Sequence, residues 1–369
     1  MLVRVPDYYS DFSCVGTDCI DTCCKDWMIE IDDEAYERFK ALEGDIGAQI
    51  RKNIVLNSEN KPCIALNEDG YCSFLNEKKL CELYIKLGPG SQCSLCDNFP
   101  RIGDEYGNIR ELSLSAACPR VADMILNHNG HIAFDEWEID EKTDFDLSKS
   151  DAYMLLHDLR ECAILLVEND ELPSIPPKSL SSDGGSFGEK MSLLVVMAAQ
   201  IQNAMDNNNL SEMEKLIYDF SDKKYINKLL NCIRSDLGSG NSLMEDVYQM
   251  LEKLDFSNVH FTDLIQETYK KKPVFDISDM NEYENMIVYM LLRYFMKAIF
   301  DGDIYSKIVF IIFSIMLINS MENGTKAPLY EIFYLYSREI EHCEENMAYL
   351  SDFFYEEWNN PQKIIKGIC

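Results

Sequence analysis

The sequence predicts a mainly α protein in which a small, irregular, cysteine-rich N-terminal domain built on a metal or iron–sulfur site precedes an all-α C-terminal domain. Three observations predict it. Ten of the fourteen cysteines fall within the first 118 residues. After residue 188 apolar residues recur at helical spacing. The chain of 369 residues, 47% hydrophobic, is too long for one typical core and suggests two or three domains.

The N-terminal cysteines read Cys14-x4-Cys19-x3-Cys23-Cys24, then Cys63, Cys72, Cys81, Cys93-x2-Cys96 and Cys118. Cysteine used only as a small hydrophobe would be scattered, so this third of the chain needs thiols for disulfides, for a metal or iron–sulfur site, or for thiol chemistry. Pro6 and Asp7 interrupt the start before an apolar signal region could form. The longest apolar run, Ile308 to Ile318, falls short of the ~20 residues a bilayer requires. A cytoplasmic protein is therefore expected, and a reducing compartment favours metal over disulfides. The formal charge of −30 repels nucleic acid and anionic membrane, excluding both as partners, and attracts a lysine-bearing polypeptide.

Taken in order, the elements support this division. Asp32 is placed to cap a helix whose stripe is Ala35, Phe39 and Leu42, with Gly44 at its end. From Cys63 to Pro119 the chain reads as tight turns, including a hairpin between Arg101-Ile102 and Ile109–Leu112. Cys81 opens a helix that Gly88 terminates, and Cys118 precedes Pro119, a favoured first helical residue. A helix N-terminus stabilises a thiolate, so both suit a metal. Residues 135–151, dense in Asp and Glu, read as a solvated linker. The segment from Leu172 to Gly188 reads as a loop by its Pro and Gly content. Leu194, Ala198, Ile201 and Met205 form one later helical stripe, and Ile287, Met290, Leu291, Tyr294 and Ala298 another. Ile308–Ile318 reads as a core helix. The expected domains are 1–130, binding the cluster; 131–188, an acidic linker with a helical segment; and 189–369, all α.

Zinc and iron–sulfur clusters both take thiolates, and count alone does not separate them. Only Cys93-Ser-Leu-Cys96 has the compact spacing usual for zinc. Adjacent Cys23 and Cys24 point apart and suit one centre poorly. His128 and His131 are better read as capping or surface residues than as ligands.

Several fragments together carry a resemblance. They are Pro6-x-Tyr8, Phe12-Ser-Cys14, Cys19-Ile-Asp-Thr-Cys23-Cys24-x2-Trp27-x-Ile29, Asp69-Gly70-Tyr-Cys72-Ser-Phe, and Leu80-Cys81-Glu-Leu-Tyr84. Cys93-x2-Cys96-x2-Phe99-Pro100-Arg101 and Glu111-Leu-Ser-Leu-Ser115-x2-Cys118-Pro119 complete the set. As a set these resemble the N-terminal part of the flagellin lysine-N-methylase family. Ala116-Ala117 and Asp97 depart from its pattern. The resemblance implies transfer of a methyl group from S-adenosyl-L-methionine to lysines of flagellin, with a 4Fe-4S cluster held by N-terminal cysteines. The candidate ligands are Cys14, Cys19, Cys23, Cys24, Cys72, Cys81, Cys93, Cys96 and Cys118, with zinc as the alternative metal. A lysine attacks only as the neutral amine, which calls for desolvation or a base; candidates are Tyr8, Tyr9, Asp21, Asp26 and Trp27. The competing readings are a non-catalytic zinc- or iron-binding module, and a thiol-based redox protein.

Overall fold

A computed structural model describes residues 1–143, 146–168, 187–236, 243–273, 275 and 280–368. In chain order the strands are β1 (Leu2–Pro6), β2 (Ile29–Glu30), β3 (Ile54–Leu56), β4 (Pro62–Ile64), β5 (Arg101–Tyr106), β6 (Ile109–Leu114) and β7 (Phe134–Glu138). The first helices are α1 (Asp33–Ala41), α2 (Gly44–Lys52), α3 (Glu82–Leu87), α4 (Ser94–Asn98), α5 (Pro119–Leu126) and α6 (Asp151–Glu168). The chain divides into two compact units: a thiol unit of residues 11–102 and 114–121, and a helical unit of 1–10, 103–113 and 122–369. The thiol unit is thus shorter than residues 1–130, because residues 1–10 and most of the β5–β6 hairpin belong with the helices.

In the thiol unit, Asp32 caps α1 as its sequence position predicts, its Oδ1 accepting from the Ala35 N–H at 2.9 Å. Ala35 and Phe39, one helical turn apart, are buried. α1 ends earlier than expected, at Ala41 with Leu42 as its C-cap, and Gly44, at φ +74°, is instead the first residue of α2, which the sequence reading did not include. A three-stranded antiparallel sheet in the order β2-β4-β3 lies in the same core. That core is small: Ile29, Ile31, Phe39, Ile50, Ile64, Phe74 and Leu83, with the thiols of Cys72 and Cys93 buried among them. A core of this size supplies little stability alone and gains from a metal staple.

The helical unit carries a four-stranded sheet ordered β5-β6-β1-β7. β1 runs parallel to β6, with Arg4 opposite Glu111, and antiparallel to β7, with Val3 opposite Trp137. The predicted hairpin is present, and Gly107 supplies the positive φ of +74° its turn requires. Part of the acidic stretch is therefore β7 and not linker. It was hidden because its side chains are largely exposed and its partner lies at the other end of the N-terminal third. The Leu172–Gly188 loop lies mostly outside the described residues; its end, Phe187-Gly188, begins the helix Phe187–Asp206.

The apolar run sits in a longer helix than its composition suggests, Ile304–Thr325, 22 residues. By length and hydropathy this helix could cross a membrane, yet 89% of its apolar window is buried inside the protein. The helices Phe187–Asp206, Val259–Lys271, Met280–Tyr294, Leu329–Tyr336 and Glu344–Glu357 pack around it, so it is the core helix that its all-round apolarity predicts. Leu194, Ala198, Ile201, Ile287, Met290, Leu291 and Ala298 are all buried there.

Candidate metal centre

All ten N-terminal cysteines belong to the thiol unit, and the thirteen described cysteines are free thiols. Local structure places several of them in or against the small core. Cys24 meets Cys72 through the backbone, the Cys72 N–H donating to the Cys24 carbonyl at 2.8 Å. Cys72 lies in a turn in which Leu75 N–H donates to its carbonyl, and Leu75 bridges to Cys81. Cys81 is the residue preceding α3, and Gln92 Nε2 donates to its sulfur at 3.3 Å. Cys93 precedes α4, which carries Cys96 on its first turn. Cys24, Cys81 and Cys96 pack half-buried against the core that contains Cys72 and Cys93.

The electrostatics record the convergence. Cys24 is pushed far up, first by donating a hydrogen bond to Cys23, then by burial and by Cys72 and Cys81 nearby. Cys96 is likewise pushed far up by donating to Cys93, by burial, and by Cys24 and Cys72. The Cys93 thiolate gains that bond and is drawn down to about 7 against the cost of its burial. Cys72 is pushed up to about 11 by burial, with Cys81, Cys93 and Cys23 adding to it. A second group joins through Cys23: Cys118 is raised to about 11 by burial, Cys19 and Cys23 contributing, although the Val121 and Arg120 N–H groups oppose. Burial therefore outweighs the helix start at Cys118, which the sequence reading expected to favour the thiolate. A coordinated metal would reverse this, since it deprotonates a bound thiol.

Among the predicted ligands, Cys72 is thus influenced by Cys81, Cys93 and Cys23, Cys24 by Cys23, Cys72 and Cys81, and Cys96 by Cys93, Cys24 and Cys72, whereas Cys118 is influenced by Cys19 and Cys23. Cys14 is exposed and is not drawn into these pairs. Cys63, excluded from the candidates, sits on the central strand β4 with Glu30 and Lys61 as its charged neighbours. Among the described residues, no three His, Cys, Asp or Glu side chains are close enough to hold a single metal ion. The set is nonetheless rich in thiols and poor in other donors, the chemistry of an iron–sulfur cluster or a thiolate zinc site. His128 and His131 belong to the helical unit, facing Asp7 and Glu168.

One supporting residue was visible in the sequence only in half its role. Besides capping α1, Asp32 accepts through Oδ2 from the Ser94 N–H at 2.6 Å, fixing the helix start beside Cys93. These two N–H donors, Ser94 first, hold its carboxyl below the usual range. Of the proposed bases, burial pushes Tyr8 far up, which unfits it as a phenolate. Trp27 is structural, donating to the Cys23 carbonyl at 2.6 Å and meeting Phe99 edge-on. Asp26 pairs with Lys25 at 3.5 Å, and Asp21 accepts from the Thr22 N–H.

The profile of the FliB lysine N-methylase C-terminal domain matches residues 180–367. The chain belongs to this family. It is 34% identical over 142 residues to the flagellar biosynthetic protein FliU of Salmonella muenchen, covering 36% of this chain and 82% of that protein. It is also 34% identical over 149 residues to the lysine-N-methylases of Salmonella choleraesuis and Salmonella typhimurium. Those matches cover 38% of this chain but 36% of either relative, so this chain aligns with about a third of the length of the two methylases. No solved structure matches.

Proposed function

We propose that this protein methylates lysine side chains of flagellin in the cytoplasm, with S-adenosyl-L-methionine as methyl donor and a 4Fe-4S cluster held by thiols of the thiol unit. The observation that carries the reading is membership of the lysine N-methylase family. A charge of −30 favours a lysine-bearing substrate. Cys24, Cys72, Cys81, Cys93 and Cys96 supply more thiolates than a cluster's four ligands require.

The chemistry balances without an added oxidant. The neutral lysine amine forms an N–C bond to the sulfonium methyl as the C–S bond breaks. The thioether leaves, and the amine proton passes to a base or water. The demand on the protein is to strip water and a proton from an amine whose ordinary pKa is about 10.4. Co-expression with flagellin followed by mass spectrometry of its lysines tests the reading. Methyl additions that appear only with this protein support it; unchanged flagellin masses refute it.

A further inference from the structure

The four-stranded sheet of the helical unit has an open edge. Its order, β5-β6-β1-β7, leaves β7 paired on one side, and among the described residues no strand adds to the other. The pairing with β1 fixes which backbone groups face that open side. Met1 and Ile139 exchange both main-chain bonds, at 3.0 and 2.9 Å, and the Asp7 N–H donates to the Ala133 carbonyl at 2.9 Å. In an antiparallel ladder such bonded pairs alternate with pairs whose backbone groups point away from each other. Counting inward from Ala133 and Ile139, the residues that turn N–H and C=O away from β1 are Phe134, Glu136 and Glu138. On the other strand the phase agrees: Leu2, opposite Glu138, donates its N–H away from β7, to the Asn108 carbonyl. Asp135, Glu136, Trp137 and Glu138 are exposed, so this row of donors and acceptors is accessible.

An open edge is a template for a further strand, and proteins usually guard it with lysine, proline, a bulge or brevity. β7 has five residues and no proline; its guard is negative charge. Asp135, Glu136, Glu138, Asp140 and Glu141 run to Lys142 without an intervening lysine or arginine. Arg4 holds Glu136 and Arg110 holds Glu141, each at 2.7 Å. Among the described residues no cation pairs with Asp135, Glu138 or Asp140. These carboxylates repel a second copy of this chain, which itself carries −30, and repel any acidic strand. Opposite charges facing one another across a strand pair stabilise it, so the same edge accepts a strand that bears lysine or arginine. Trp137, 43% exposed, offers a ring face to such a cation.

We propose that the open edge of β7 binds an extended basic polypeptide segment by strand addition. The main chain of the segment pairs with Phe134, Glu136 and Glu138, and its cations meet Asp135, Glu138 and Asp140. Backbone pairing supplies the affinity and the carboxylates choose the partner. The test is isothermal titration of the full chain, at low ionic strength, with a short peptide of alternating lysine and valine. A glutamate–valine peptide and a lysine–valine peptide N-methylated along its backbone are the comparisons; the second keeps the charge and cannot pair. Two variants divide the protein's contribution. Glu138→Gln removes a charge and keeps the outward N–H, whereas Glu138→Pro removes both and spares the β1 ladder, because that N–H faces the open side. The wild type is expected to bind only the unmodified lysine–valine peptide. Glu138→Gln should bind it roughly twofold more weakly, as for an exposed ion pair. Glu138→Pro should bind it roughly tenfold more weakly, the size of a lost hydrogen bond, with its thermal midpoint unchanged. Equal binding of the N-methylated peptide, equal affinity of the two variants, or no binding by the wild type overturns the proposal. Should Glu138→Pro unfold, the N-methylated peptide decides the matter on the wild type. Each of these failures leaves the flagellin mass measurement, and the methyl-transfer reading it tests, unaffected.

Discussion

The sharpest consequence for stability lies at Arg160, which is completely buried. Glu111 on β6 accepts from its two terminal nitrogens at 2.7 and 2.8 Å, and Arg4 on β1 adds a third contact to Glu111 at 3.2 Å. Burial works against the Glu111 charge, but Arg160 and then Arg4 outweigh it and hold the carboxyl down to about 2 from an ordinary 4.5. At about 1.4 kcal/mol per pH unit, that gap corresponds to about 3 kcal/mol. Because the folded value is the depressed one, this contribution is complete above pH 4.5 and is lost as pH falls towards 2. Glu111→Gln keeps the shape but strands a buried guanidinium, a cost of about 3–5 kcal/mol. Urea unfolding followed by circular dichroism at pH 7 and at low pH measures both. The expected result is a large loss at neutral pH that shrinks as pH falls through the 4.5-to-2 interval, where the wild type loses the same charge. A Glu111→Gln variant as stable as wild type at pH 7, or a deficit that does not change with pH, refutes the ion-pair argument.

Four further outcomes are expected. Asp32→Ala removes the caps of both α1 and α4, costing about 2 kcal/mol at ~1 kcal/mol per cap, and lowers metal content measured by elemental analysis. Phe39→Ala opens a cavity in the small core, with a loss of about 3–5 kcal/mol in urea unfolding. In the metal-free protein, ultraviolet thiolate absorbance should show a step near pH 7 that vanishes in Cys93→Ser and moves upward in Cys96→Ala. Cys72→Ala should abolish metal binding while Cys63→Ala and Cys14→Ser retain it, because only Cys72 lies among the converging thiols.

Much of this was legible where the signal is local. The Asp32 cap, the helix starts after Cys81 and at Pro119, the 101–112 hairpin and the buried 308–318 segment all follow from residues within a few positions of one another. Pairings across long sequence distances were not. β7 hid within acidic residues because only its pairing with Leu2–Pro6 makes it a strand. Cys93 as the residue opening α4 went unseen because cysteine is not a usual cap and the helix is five residues long. The second role of Asp32 and the π-helical turn Ser337–Glu341 leave no trace in spacing at all. Which thiols lie in or against the small core was legible only as a list; the structure places Cys72 and Cys93 within it and Cys24, Cys81 and Cys96 against it, packing that no cysteine spacing encodes.

The proposed function rests on thiols of the thiol unit holding iron. Anaerobic purification with quantification of iron and acid-labile sulfide per chain tests this directly, in parallel with the Cys72→Ala variant. The account predicts a brown protein with iron and sulfide in equal amounts, both lost in the variant. A colourless wild type without sulfide, or a Cys72→Ala protein with full iron content, would contradict it.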